Sequence, residues 1–185
     1  MTRKHPESNR CYKVKAGHSP DSWYKRENCK RGQKEEDILM QDYRHILVAM
    51  DATEQSAKIA TRALQFATAS GARLSLLKVL EHLPASIPVD PVPPEGVDKI
   101  EWFRNHARDE LKEFARRLDL SEAEVNVAVG SPKDVIPDFA REQAVDLIVV
   151  GTHERHGIAL LWGSTTDSVL HHAPCDVLAV HIPSL

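Results

Sequence analysis

The residues best placed to do chemistry lie between Asp146 and Thr165, D-L-I-V-V-G-T-H-E-R-H-G-I-A-L-L-W-G-S-T. The apolar run Leu147-Ile148-Val149-Val150 is rich in β-branched residues and reads as a strand buried on both faces, ended by Gly151. A mostly polar loop follows, and Gly163-Ser164-Thr165 opens a helix that runs to His172. A helix start offers unpaired N–H groups and the positive end of its dipole, and glycine lets a bound group approach the backbone. The expected ligand is a phosphate group, and Gly151, Thr152, His153, Gly163, Ser164 and Thr165 are its candidate contacts. The plainer reading is an ordinary turn with Ser164 as N-cap. The stretch matches neither a Walker A loop nor a G-x-G-x-x-G fingerprint.

Other chemistry is poorly supported. His153, His156, His171, His172 and Cys175 invite a metal reading, but nothing in their spacing makes ligands converge, and no metal site is expected. His171 and His172 sit near a helix C-terminus, where the dipole favours imidazolium. No Ser-His-Asp ordering stands out, so no catalytic residue is assigned. Cys11, Cys29 and Cys175 are few, scattered and without a C-x2-C unit, which suits a reducing cytoplasm.

The elements that must position these residues alternate along the chain. Arg44–Met50 is the first strand and Asp51 stands at its C-terminal end. Thr53 is the expected N-cap of a helix whose apolar face is Ala60, Ala63, Leu64 and Ala67, stopped by Gly71. Arg73–Val79 is the second strand. A loop from Leu80 to Gly96 holds five of the eleven prolines and reads as a lid or as a variable surface segment. A helix over Val97–Leu118 is predicted to bury Ile100, Phe103, Ala107, Leu111, Phe114 and Leu118. Glu124–Val129 is the third strand. Ser131 and Pro132 start a helix expected to kink at Pro137, and Asp176–Ile182 is the fifth strand.

This β-α-β-α-β-α-β-α-β order implies an α/β fold with a parallel sheet and helices on both faces. Asp51, Val79, Gly130 and Gly151 then share the carboxyl edge of the sheet, where such folds bind ligands.

The 185 residues allow one domain with an extension, and 42% hydrophobic content supports a core. No apolar run approaches the length needed to span a membrane, and the basic N-terminal residues are not followed by the apolar stretch expected of a secretory signal. Residues 1–41 carry ten Lys/Arg against six Asp/Glu, a net of +4; residues 42–185 carry fourteen against twenty-one, a net of −7. The polar segment 1–41 reads as a disordered basic extension and 42–185 as the folded domain. A nucleic-acid-binding arm is the weaker reading of this charge. A start-site artefact is a third reading, with Met40 as the true start; an intact mass matching Met1 would end it.

The chain resembles the universal stress protein family. The resemblance rests on I-L-V-A-M-D at 46–51, L-L-K-V-L-E at 76–81 and the block from Asp146 to Val180, and covers roughly Tyr43 to Ile182. It implies an open five-stranded parallel sheet of order 3-2-1-4-5, a cytoplasmic stress-response module, and a homodimer through the last strand at Val177, Leu178, Ala179 and Val180. Nucleotide-binding members carry G-x2-G-x9-G-[ST]. Gly151 matches the first glycine, and Gly163 with Ser164 the closing pair. Asp51 matches the acidic residue that holds ribose or a metal-linked phosphate, and Val79 the position whose backbone reads adenine. The implied cofactor is ATP or AMP, with Mg²⁺ accompanying ATP through Asp51. Hydrolysis would be slow at most, and the chain is not read as an enzyme.

Glu154 departs from the pattern, standing where the middle glycine belongs, and eight residues rather than nine separate it from Gly163. A carboxylate about 4–5 Å from a phosphate costs on the order of 1–4 kcal/mol, a ~10- to 1000-fold loss of affinity. Stress proteins with R-H-G-[LI]-A-L-L here share the shorter spacing, so the length marks a subgroup. The alternative reading is therefore a dimeric stress protein that binds no nucleotide and acts through protein partners.

Overall fold

In the strand stretch I-L-V at 46–48 each residue is fully enclosed. Successive side chains of a strand point to opposite faces. Ile46 and Val48 therefore enter one core layer, and Leu47 enters a second. A strand apolar on both faces needs helices on both sides, and the computed structural model has that arrangement. It describes residues 11–14, 43–81, 93–153 and 164–182, with the backbone alone for 11–14, His153 and Ser164.

The elements in chain order are β1 (Cys11–Val14), β2 (His45–Ala49), α1 (Ser56–Ser70), β3 (Arg73–Leu80), α2 (Lys99–Arg117), β4 (Glu124–Val129), α3 (Pro132–Glu142), β5 (Leu147–His153), α4 (Ser164–His172) and β6 (Asp176–Ile182). The sheet runs β1-β6-β5-β2-β3-β4. The pairs β6–β5, β5–β2, β2–β3 and β3–β4 are all parallel. Counted from β2, these five strands have the order 3-2-1-4-5. Strand order reverses between β2 and β5, which pair from Ile46↔Leu147 to Ala49↔Val150.

Helix α1 packs on one face through Ile59, Ala60, Ala63 and Ala67, joined by Leu111 and Phe114 of α2. Alanines on the inner side of α1 let it approach the sheet closely. Helices α3 and α4 cover the other face through Ile136, Ala140 and Val169. Gly71 closes α1 in the left-handed conformation, φ 68°, as a glycine C-cap should. Asp98 caps α2, its Oδ1 accepting from the N–H groups of Ile100 at 2.9 Å and Glu101 at 3.1 Å.

Four local expectations need correction. Thr53 is not the N-cap of α1; it opens a turn before the helix, and its Oγ1 accepts weakly from the Ser56 N–H at 3.4 Å. Ile100 is exposed rather than buried. Nineteen helical residues span about 28 Å, while six-residue β4 beneath spans about 20 Å, so the first turn of α2 overhangs the sheet. Gly151 does not end β5: the strand continues through His153, because β6 runs beside it to Ile182 and supplies partners for Gly151, Thr152 and His153. Finally, a strand lies within the segment read as lacking one. Residues 11–14 pair antiparallel with 177–180 of β6. The remainder of the segment read as disordered, and most of the Leu80–Gly96 loop, fall outside the described residues.

Pro137 is accommodated inside a continuous α3, where it is buried. No helix among the described residues is long and apolar enough to cross a membrane.

Candidate functional site

A pocket of about 430 Å³ opens at the carboxyl edge of the sheet, where strand order reverses. Chain direction explains its character. In a parallel sheet every crossover helix begins at the carboxyl edge, so its N-terminus points there. Ser56 at the start of α1, Pro132 at the start of α3, and Thr165 and Thr166 in the first turn of α4 all line the pocket. Three helix dipoles thus present their positive ends to one space.

The floor comes from the ends of β2, β3 and β5: Ala49, Met50, Leu77, Val79, Val150 and Gly151. Leu77, Val79, Ile59 and Ile136 give it apolar walls. Thr53, Ser56, Thr165 and Thr166 bring hydroxyls, and Asp51 and Glu81 bring carboxylates. No lysine or arginine lines it among the described residues. An anion held here would rely on backbone N–H groups, hydroxyls and helix ends, with its charge partly opposed by two acids.

The β2–α1 connection shapes one wall. Met50 donates its N–H to the Leu77 carbonyl at 3.0 Å, extending the β2–β3 ladder by one bond. Ala52 then turns into the left-handed region, φ 59°, costly for a residue with a Cβ. The turn places Asp51 at the mouth, and Thr53 Oγ1 lies 3.1 Å from Ser56 Oγ.

On the opposite wall, Thr166 is buried and donates its hydroxyl to the Gly151 carbonyl at 2.9 Å, tying α4 to β5. Gly151 has a packing reason to be glycine. An added Cβ would lie 2.5 Å from Ile59 Cδ1 and 2.7 Å from Ile182 Cδ1, both on buried side chains. Its lack of a side chain is thus needed by the core, whatever the pocket holds.

Of the residues expected to contact a ligand, Asp51, Val79, Gly151 and Thr165 come together around the pocket. Thr152 is not among the lining residues; its Oγ1 lies 3.5 Å from the Val180 carbonyl. His153 belongs to β5 and Ser164 begins α4, with backbone alone described, and Gly163 and Glu154 lie outside the described residues. Sequence reading missed the other lining residues, among them Thr53, Ser56, Ile59, Glu81, Pro132, Ile136, Thr166 and Ile182. The first two were legible as polar residues just after a strand end. Pro132 was recognised as a helix start, and every helix start in this topology faces the same edge. Ile59, Ile136 and Ile182 carry only a core signal.

Away from the pocket, His45 is 2% exposed near the amino end of the sheet. Arg73 Nη2 donates to its Nδ1 at 2.8 Å, which puts the ring proton on Nε2. Nε2–H then donates to Ser75 Oγ at 2.7 Å, and Ser75 donates to Glu124 Oε2 at 3.2 Å. Burial foremost, with the Arg73 charge, lowers the His45 pKa, against the Gln143 carbonyl and the Glu124 and Asp146 carboxylates. The half-buried Cys175 thiol is pushed up to about 12, by burial first and then by Asp176 and Asp146, and stays protonated at neutral pH. No group of three or more His, Cys, Asp or Glu among the described residues is arranged to hold a metal ion.

Known proteins share this fold. The chain is 39% identical over 144 residues to universal stress protein A homolog 2 of Coxiella burnetii, covering 77% of this chain and 98% of that protein. It is 34% identical to homolog 1 of the same organism, over 75% of this chain and 96% of that one. Among solved structures, it resembles the universal stress protein UspA from Lactobacillus plantarum, with a TM-score of 0.57, 28% identity, and coverage of 75% and 97% of the two chains. A universal stress protein in complex with cAMP matches with a TM-score of 0.51 and 26% identity, over 76% of this chain and 98% of that one. A sequence profile described as the universal stress protein family matches residues 42–181. With the five parallel strands in order 3-2-1-4-5 and these relatives in agreement, the chain belongs to the universal stress protein family.

Proposed function

We propose that this chain is a stress-response protein that binds an adenine nucleotide, ATP or AMP, in the pocket at the carboxyl edge. The observation that carries the reading is the meeting of three helix N-termini on one cavity at the strand-order reversal. A volume of about 430 Å³ lies within the range of small-molecule sites. The residues fit the parts of a nucleotide. Leu77, Val79 and Ile136 form an apolar wall suited to a purine. Asp51 and Glu81 can accept hydrogen bonds from ribose hydroxyls. The first turn of α4 offers N–H groups and the Thr165 hydroxyl to phosphate. With no basic side chain lining the pocket among the described residues, a triphosphate would need a cation, and Asp51, which lines the pocket, would hold Mg²⁺ against it. One structural relative is described in complex with cAMP, an adenine nucleotide.

A second reading, a stress protein that binds no nucleotide and works through protein partners, is favoured by the local acid. Asp51 and Glu81 line the pocket, and Glu154 stands where binders have glycine.

The test is to purify the full chain without added nucleotide, denature it and separate the supernatant by anion exchange. Stoichiometric ATP, ADP or AMP supports the first reading. An empty supernatant, together with no heat on titrating Mg-ATP into the native protein, refutes it.

A further inference from the structure

The structure assigns an occupant to the outer edge of β6. We propose that residues 11–14 are an intramolecular cap on that edge, and that the cap holds the chain monomeric by competing with a second copy.

Strand β6 has two edges. One pairs with β5 over Asp176–Ile182. The other meets β1 antiparallel, in the register Cys11↔Val180, Tyr12↔Ala179, Lys13↔Leu178 and Val14↔Val177. These four β6 residues are the ones that the family resemblance assigns to a homodimer. A backbone N–H or C=O that bonds β1 cannot bond another strand, so the two pairings exclude each other.

The edge invites a partner. Val177, Leu178, Ala179 and Val180 are all apolar and buried, with no charge or proline among them. Edges left open usually carry such protection, because an unpaired apolar strand templates association. On the far side of the sheet, β4 follows the usual rule: it is six residues long, begins at Glu124 and is only partly buried. The contrast identifies the β6 edge as one meant to be covered.

Two features favour the chain's own segment as the resting occupant. The first is the tether. Residues 15–44, 30 in number, join β1 to β2. Covalent linkage makes the pairing intramolecular, with an effective concentration on the order of mM, far above the concentration of a second copy at μM. The second is charge. The net +4 of residues 1–41 is opposite in sign to the net −7 of residues 42–185, whereas two copies of the core repel.

A four-residue ladder is also short enough to be displaced. If the cap is docked nine-tenths of the time, the free edge falls about tenfold on each protomer. Dimerisation through two such edges then weakens about 100-fold. The competition rests on reading β6 as a dimer edge; the cap itself does not. The two tests therefore fail separately.

The cap is tested in the full chain by Val180→Cys, which sets a thiol opposite the native Cys11. Directly paired residues of antiparallel strands have Cα atoms about 4.5–5.5 Å apart, within reach of a disulfide. Mild oxidation and peptide mass analysis are expected to find Cys11 linked to the thiol at position 180 within one chain, and no such link when Cys11→Ser is added. Should Val180→Cys fail to fold, the neighbouring pair Tyr12→Cys with Ala179→Cys, in a Cys11→Ser background, asks the same question. A link between the introduced thiols of two chains, or no link, overturns the cap.

The competition is tested by sedimentation of the full chain carrying Tyr12→Pro and Lys13→Pro. Adjacent residues of a strand point their N–H groups to opposite sides, so the pair removes a ladder donor whichever residue supplies it. The variant is expected to dimerise at least ~10-fold more tightly than the parent chain. Equal association, with the link from Cys11 to position 180 present in Val180→Cys, overturns the competition.

Discussion

Replacing Gly151 by alanine separates the two reasons for having glycine there. The backbone of Gly151 is not in the left-handed region, so alanine adds no conformational strain. The new methyl would lie 2.5 Å from Ile59 Cδ1 and 2.7 Å from Ile182 Cδ1. Carbon atoms in contact sit about 3.5–4.0 Å apart, so each terminal methyl must retreat by about 1 Å. Ile59 is 3% exposed and Ile182 2%, which leaves little room for retreat. Overpacking of this kind costs about 1–3 kcal/mol, and a loss of about 2 kcal/mol lowers Tm by roughly 4–8 °C in a chain of this size. Urea unfolding of Gly151→Ala measures it directly. The decisive variant adds Ile59→Val and Ile182→Val, which delete the two Cδ1 atoms. Those truncations alone cost about 0.5–1.5 kcal/mol each, yet combined with Gly151→Ala they should relieve the clash, giving a favourable coupling of ~1 kcal/mol or more. Additivity within about 0.5 kcal/mol would refute the packing argument. The triple variant also carries information about the pocket. If it regains stability but binds Mg-ATP more weakly than the double truncation, Gly151 additionally serves close approach of a ligand.

Three further outcomes are expected. His45 has a folded pKa below its ordinary value, so the native state binds fewer protons than the unfolded chain between those two values. Its stabilising contribution is complete above the unfolded pKa of about 6.5 and is lost as pH falls through the folded value. His45→Asn should flatten the dependence of unfolding free energy on pH in that window, and unchanged slopes would contradict the assignment. Thr166→Val keeps the shape but removes the donor to the Gly151 carbonyl; unfolding should show a loss of about 1–2 kcal/mol that Thr166→Ser largely restores, and parity with the parent would dismiss that bond. Glu154→Gly removes charge and bulk from the segment that joins β5 to α4 and should tighten ATP binding by ~10-fold or more in calorimetry; equal or weaker binding would sink the argument.

The sequence by itself determined the alternation of strands and helices, and hence which ends of the strands share an edge. The continuous apolar run Ile46–Val48 and the helical spacing of Ala60, Ala63 and Ala67 are local properties of the chain, and local steric rules suffice to read them. Asp51, Val79, Gly151 and Thr165 could be placed near one another for the same reason: topology sends every strand end and every helix start to one side. What only the tertiary structure decided is side-chain packing between distant segments. Gly151 reads as a phosphate contact in sequence, but its missing side chain makes room for Ile59 and Ile182, residues 92 positions before it and 31 after it. His45 reads as one polar letter in an apolar strand; only the convergence of Arg73 and Ser75 on its two ring nitrogens reveals a buried imidazole that accepts at Nδ1 and donates at Nε2. Residues 11–14 have too little apolar periodicity to announce a strand. Their conformation comes from the unpaired edge of β6, which offers backbone partners to any extended segment that reaches it. Pairing of that kind depends on which neighbour is near in space, and no local pattern in the sequence encodes it.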